Sequence, residues 1–258
     1  MRKTRIAAIF VMSAGAFAQT AIAPPQVGFV VDSAHALRPA YGLAGSFILG
    51  RSITGPIVGE AFSGSLGLLK TDSSLAAFDS QGKLLASMDV PGGPALFAFS
   101  PSGTTALVFI AGGNTWIEWR GNAFARVSLD HAQFGTDTVL AIGFPNPFEA
   151  TLMVQRSADV WEVHVPLGPS GTLSQNTLAG VHAPVLALPA GDLIYPDARG
   201  MVVRHPAGSE VHIAASLPVS FSLQQINQDW VQLTDLGSSA RFAVRTAPGR
   251  EGFYRLPE

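Results

Sequence analysis

Apolar positions in this chain come in short runs. Segments rich in Val, Leu, Phe, Trp and Thr are separated by Gly, Pro, Ser, Asn and Asp about every eight to twelve residues. No stretch carries a sustained apolar stripe at i, i+3, i+4 and i+7, the spacing that buries one face of a helix. The pattern predicts an all-β fold: a sandwich, a barrel or a propeller.

Self-similarity selects among these. Ala61-Phe62-Ser63-Gly64-Ser65 recurs as Ala98-Phe99-Ser100-Pro101-Ser102, each between two apolar stretches, with weaker counterparts at Phe144, Leu188 and Gln224. A second element keeps step with the first: Ala76-Ala77-Phe78-Asp79, Ile117-Glu118-Trp119-Arg120, Trp161-Glu162-Val163-His164, Val202-Val203-Arg204-His205 and Ala243-Val244-Arg245-Thr246. Each is followed by a glycine (Gly82, Gly121, Gly168, Gly208 or Gly249) and then by another apolar strand. A period of about 40 residues with four short strands per unit is the sequence form of propeller blades. One four-stranded blade cannot bury both its faces, whereas blades packed around an axis cover one another.

The expected fold is therefore a β-propeller of about six sectors: five complete four-stranded repeats, from about Pro56 to Glu258, plus an N-terminal partial one. Five blades and a β-sandwich are the alternatives. The N-terminal piece, Phe29-Val30-Val31-Asp32 and then residues 36–42, matches only the third and fourth strands of a repeat. It is expected to form a partial blade or to close the ring against the C-terminal segment.

The turn Phe99-Ser100-Pro101-Ser102-Gly103, followed by Ala106-Leu107-Val108, resembles the Phe-Ser-Pro-Asp-Gly turn of TolB-like and WD40-like propeller repeats. Ser102 stands where those repeats carry Asp, and the Trp-Asp and Gly-His pairs of WD40 units are missing. The resemblance implies an architecture, that of exported bacterial propellers, and transfers no functional residues.

The first residues add a location. Arg2, Lys3 and Arg5 precede an uncharged apolar run over residues 6–18 that ends in Ala16-Phe17-Ala18, the small residues of a signal-peptidase site. The run is shorter than the roughly 20 residues needed to span a bilayer. The expected organisation is a signal peptide at 1–18, a short linker at 19–26 and one propeller domain at 27–258, giving a periplasmic or secreted monomer with no membrane span after cleavage.

Composition narrows the chemistry. Charged residues make up only 13% of the chain, about half the usual share. The 16 basic residues, three of them in the leader, face 18 acidic ones and are scattered singly. A nucleic-acid surface needs clustered Lys and Arg, so nucleic acid is excluded as a partner. The chain has no cysteine, hence no disulfide, thiolate metal site or Cys nucleophile.

Motifs that carry catalysis are missing. There is no nucleophile elbow, phosphate-cradling loop, His-Glu-x-x-His or calcium loop. His164 and His205 occupy equivalent repeat positions, and with Glu162 or Glu210 they form a candidate zinc set weighed against two solvated strand ends. Trp116, Trp119, Trp161 and Trp230 read as packing between blades, with a sugar-stacking platform as the functional alternative. No cofactor and no catalytic residue is assigned.

Binding is read from topology. Loops joining second to third strands share a face with the loops between blades, and they carry Asp72, Asn114, Arg156, Asp159, Asp197, Arg199 and Asp235. The inter-blade segment 130–137 adds His131 and Asp137. In a closed ring these residues form one rim around a concave centre, the usual place for a ligand. Turn formation by Asp and Asn explains much of the set without any ligand. The expected function is a non-catalytic exported module that binds a protein, peptide or glycan or serves as a scaffold. The alternative is a lactonase- or glycosidase-like hydrolase with Glu60, Glu149 and Asp192 around the channel.

Overall fold

The computed structural model describes residues 26–32, 34–43, 46–51, 57–63, 66–79, 83–129, 137–167 and 174–256. The expected signal peptide at 1–18, most of the expected linker at 19–26, and His131 lie outside these residues.

The described residues form six antiparallel sheets, each with its strands in sequence order. The first sheet holds β1 (Gln26–Val31), β2 (Leu37–Leu43) and β3 (Ser46–Leu49). Five four-stranded sheets follow. The second is β4 (Gly59–Ser63), β5 (Leu66–Lys70), β6 (Ser74–Asp79) and β7 (Leu84–Asp89). The third is β8 (Ala95–Phe99), β9 (Ala106–Ile110), β10 (Thr115–Arg120) and β11 (Ala123–Val127). The fourth is β12 (Thr138–Asn146), β13 (Glu149–Arg156), β14 (Asp159–Pro166) and β15 (Ser174–Thr177). The fifth is β16 (Leu186–Ala187), β17 (Leu193–Asp197), β18 (Gly200–Arg204) and β19 (Glu210–Ala214). The sixth is β20 (Phe221–Gln225), β21 (Trp230–Asp235), β22 (Arg241–Arg245) and β23 (Gly252–Arg255). A single turn of 3-10 helix at Ala111–Gly113 is the one helical element among the described residues. The architecture is a six-bladed β-propeller.

Strand alternation explains the packing. In the third blade, Phe97, Phe99, Val108, Ile117 and Trp119 turn toward the second blade, while Ala98, Leu107, Phe109 and Trp116 turn toward the fourth. Both faces are apolar because both are covered, which is why the middle strands read as continuous hydrophobic runs. Val108, Leu107 and Ile117 are all fully buried, and each buried side chain of this size contributes roughly 1.5–3 kcal/mol.

The same alternation corrects part of the repeat alignment. Phe62, Phe99 and Phe144 each face the preceding blade. Leu188 instead packs toward the following blade, and Ala187 holds the equivalent face. Leu223, not Gln224, faces back toward the fifth blade. A one-residue slip in a strand exchanges the faces, so the weaker counterparts were displaced by one.

The N-terminal piece is more than two strands. β1 runs toward the turn that receives Ile57, whose N–H donates to the His35 carbonyl at 2.8 Å. That is the direction taken by the second strand of the other blades, so β1–β3 correspond to second, third and fourth strands. The first blade lacks an innermost strand of its own among the described residues. It sits as a wedge: Phe29 and Leu37 pack with Ile57, Phe62 and Leu69 on one side. Val30 and Ala40 pack with Ile226, Trp230 and Leu256 on the other. Among the described residues, the two chain ends meet by packing across the seam and share no sheet.

Candidate functional site

Each four-stranded blade begins its second-to-third loop at the same end of the ring. These loops and the inter-blade connections form one face, called here the loop face. Asp72, Asn114, Arg156, Asp159, Asp197, Arg199 and Asp235 all lie in or beside these loops, and Asp137 lies in the connection that enters β12.

Most of these residues serve their own turns. Asn114 adopts a left-handed backbone, φ 45°, at the end of the 3-10 turn. Asp235 accepts from the Gly237 N–H at 2.8 Å and from the Ser238 hydroxyl; the hydroxyl first and the amide second hold its carboxyl below the usual range. Asp72 offers its backbone carbonyl to the Lys70 ammonium at 2.9 Å. The backbone carbonyl of Asp159 accepts from Gln155 Nε2 at 3.2 Å.

Two groups are brought together across elements. Arg156 donates from Nε to Asp137 Oδ2 at 2.5 Å and from Nη1 to Gln175 Oε1 at 2.6 Å, and its guanidinium lies 5.2 Å from the Trp161 ring centre. Asp197 accepts from the Arg199 N–H at 2.8 Å, and its Oδ2 lies 3.0 Å from His212 Nδ1. That backbone bond leads the interactions that hold the Asp197 carboxyl low, ahead of Arg199 and His212. Sequence reasoning missed His212 because it lies in the outermost strand, beside Val202 rather than in a loop.

The Asp197 cluster flanks two adjoining depressions of the loop face. One depression of 600 Å³ is lined chiefly by apolar residues, including Leu140, Val185, Pro196, Leu217, Val219 and Phe221. A second, of 710 Å³, adjoins it and is lined by Arg199 and residues 214–217; Asp197 and Leu217 belong to both. Val219 is fully exposed at this edge. The residues 217–221 connect the fifth blade to the sixth, and nothing in their composition marks them beyond Pro218.

The hydrolase residues do not converge. Glu149 Oε1 lies 2.5 Å from His164 Nδ1, and Asp192 Oδ1 lies 2.9 Å from His205 Nδ1, both at the starts of second strands on the face opposite the loops. His164 Nε2 also lies 3.7 Å from Glu162 Oε1, and the proposed His164–His205 set falls into two separate His–carboxylate groups. Among the described residues no group of three or more His, Asp or Glu is placed to hold a metal. Only Glu60 lines the axial cavity, a space of 240 Å³ between β4, β8, β16 and β20.

The tryptophans have aromatic or cationic neighbours. Trp116 stacks on Phe109 at 4.4 Å, Trp119 meets Phe124 at 4.8 Å, and Trp230 meets Phe47 at 5.6 Å. With Arg156 over Trp161, each ring sits against a neighbour in the wedge between or at the edge of blades.

No family profile and no curated protein matches the sequence. Solved structures do. A nidogen/laminin complex structure is 12% identical, covers 88% of this chain and 97% of that chain, and superposes with a TM-score of 0.56. TolB from Acinetobacter baumannii is 13% identical, with 90% of this chain and 66% of that chain covered and a TM-score of 0.51. At these identities the likeness is one of fold: the chain is a six-bladed propeller of the kind the Phe-Ser-Pro-Ser-Gly turn resembles.

Proposed function

We propose that this protein is an exported, non-catalytic binding module that engages a protein or peptide across its loop face, at the depression between the fifth and sixth blades. Export rests on the leader at residues 1–18. The observation that carries the reading is the junction of an apolar depression, with Val219 fully exposed, and the Asp197–Arg199–His212 cluster. An apolar floor with a polar flank is the anatomy of an interaction patch: the floor supplies desolvation and the charges supply orientation. One similar structure is a complex of two proteins, nidogen and laminin, which agrees with use of this fold in recognition. A glycan partner is the second form of the same reading.

Photo-crosslinking in the native host tests it. Benzoylphenylalanine placed at Val219 or Arg199 is expected to trap a discrete partner, whereas the same probe at Lys83 or Arg250, on the opposite face, traps none. Adducts at Lys83 and Arg250 with none at Val219 and Arg199 would overturn the proposal.

A further inference from the structure

The axial cavity is separate from the loop-face depression and carries its own chemistry. Glu60 faces the seam: it pairs with Leu69 in the β4–β5 ladder and so shares a side with Phe62, which packs there. Its side chain is buried, at 5% exposure, and it lines the 240 Å³ space. At about 30 Å³ per water, that space holds roughly eight waters, or a four-carbon amine.

The rest of the lining is half polar and half apolar. Gln224, Gln225 and Ser222 stand on β20, while Val58, Leu96, Phe97 and Leu186 supply hydrocarbon. Gln225 donates Nε2 to the Asn227 carbonyl at 3.2 Å, so its amide nitrogen is already engaged. No Lys, Arg or His is among the described residues lining the cavity.

We propose that this cavity binds a primary ammonium group on a short apolar stem, with the Glu60 carboxylate as counter-charge and the oxygens of Gln224, Gln225 and Ser222 as further acceptors. An anion finds no cation in this wall to pair with. A neutral apolar guest leaves the carboxyl and amides without partners, which costs free energy in a buried site. An alkylammonium satisfies both halves of the wall: three N–H donors for the oxygens and methylenes for the hydrocarbon.

Proton balance gives the site a signature. Burial pushes the Glu60 pKa up to about 8, against the lowering effect of Gln224, so the free carboxyl keeps its proton at neutral pH. Binding of R–NH3+ then requires Glu60 to ionise, and its proton leaves to solvent. Lys70, paired with Gly59 beside Glu60 in the β4–β5 ladder, is otherwise engaged: it donates Nζ to the carbonyls of Thr71 and Asp72 at 2.5 and 2.9 Å.

Calorimetric titration of the mature protein with n-butylammonium chloride at pH 6, 7 and 8 tests the proposal, in buffers of different ionisation enthalpy. The expected result is saturable 1:1 binding, release of nearly one proton at pH 7, and affinity about tenfold weaker at pH 6 than at pH 7. Nα-acetyl-lysine amide is titrated in parallel: binding of both assigns the source as a lysine side chain, and binding of butylammonium alone assigns a free amine. Glu60→Gln, which mimics the protonated carboxyl, and Ala95→Leu, which fills the space, are each expected to abolish binding while unfolding cooperatively. Absence of binding by both ligands, affinity independent of pH, or unchanged binding by both variants would each overturn it.

Discussion

Gln224 donates from Nε2 to the backbone carbonyl of Glu60 at 2.9 Å, across 164 residues of sequence. The bond joins the innermost strand of the last blade to that of the second. It spans the seam behind which the three-stranded first blade is wedged. Among the described residues, five innermost strands thus line the axis in a six-bladed ring.

The bond makes the first prediction. Gln224→Ala strands a buried carbonyl and is expected to destabilise the protein by about 1–3 kcal/mol, the cost of an unsatisfied buried acceptor. Urea unfolding of the variant beside Ser222→Ala, on the same strand, measures the difference.

Glu60 sets a pH dependence. Its carboxyl has a pKa of about 8 in the fold against an ordinary value of 4.5, because burial disfavours the charge. The folded state therefore binds more protons than the unfolded chain between these values. This group's contribution is most favourable below about pH 4.5, falls as pH rises through the window, and levels off above about 8. The slope is about 1.4 kcal/mol per pH unit at most. Unfolding free energies at pH 5, 6, 7 and 8 are expected to fall more steeply for the wild type than for Glu60→Gln. Parallel profiles would show that the carboxyl is ionised in the fold.

Gly200 holds the rim turn that presents Asp197 and Arg199. Its φ is +145°, and a Cβ there would stand 2.2 Å from the Ile213 carbonyl oxygen and 2.6 Å from the Ala215 nitrogen. Both are backbone atoms, so the strand itself must move. Gly200→Ala is expected to cost about 1–3 kcal/mol or more and to weaken crosslinking from Arg199. Gly208→Ala is the control: its φ is +85° but no heavy atom lies near the added carbon. The larger loss belongs to Gly200.

The fold was legible because its physics repeats. Alternating apolar runs mark strands, and glycines close the turns: Gly121, Gly208 and Gly249 all adopt positive φ, at 60°, 85° and 72°. Ser102, standing where related repeats use Asp, still closes its turn, through Ser100 Oγ at 3.0 Å and Thr104 Oγ1 at 2.8 Å. The first blade was under-read because a strand packed against a seam does not keep the spacing of a regular repeat. Gln224 was misaligned for a related reason: it lies opposite the seam, where a neighbouring blade would otherwise demand an apolar side chain. The rim was legible as loops, since turn chemistry puts Asp and Asn there. The depression was not, because Leu140, Val185 and Leu217 come from different blades and meet only in the ring. The position of Glu60 beside the channel was legible from the repeat, but its burial was not: nothing around Gly59-Glu60-Ala61 separates a buried carboxyl from a surface one.

Native-state hydrogen exchange tests cyclic closure most directly. An open stack of sheets frays from its ends, whereas a closed ring opens as one unit. The account predicts that the slowest amides of β4 and β20, which flank the seam, share the opening free energy of those in β12 across the ring. Opening of β4 and β20 at a free energy well below that of β12 would contradict it.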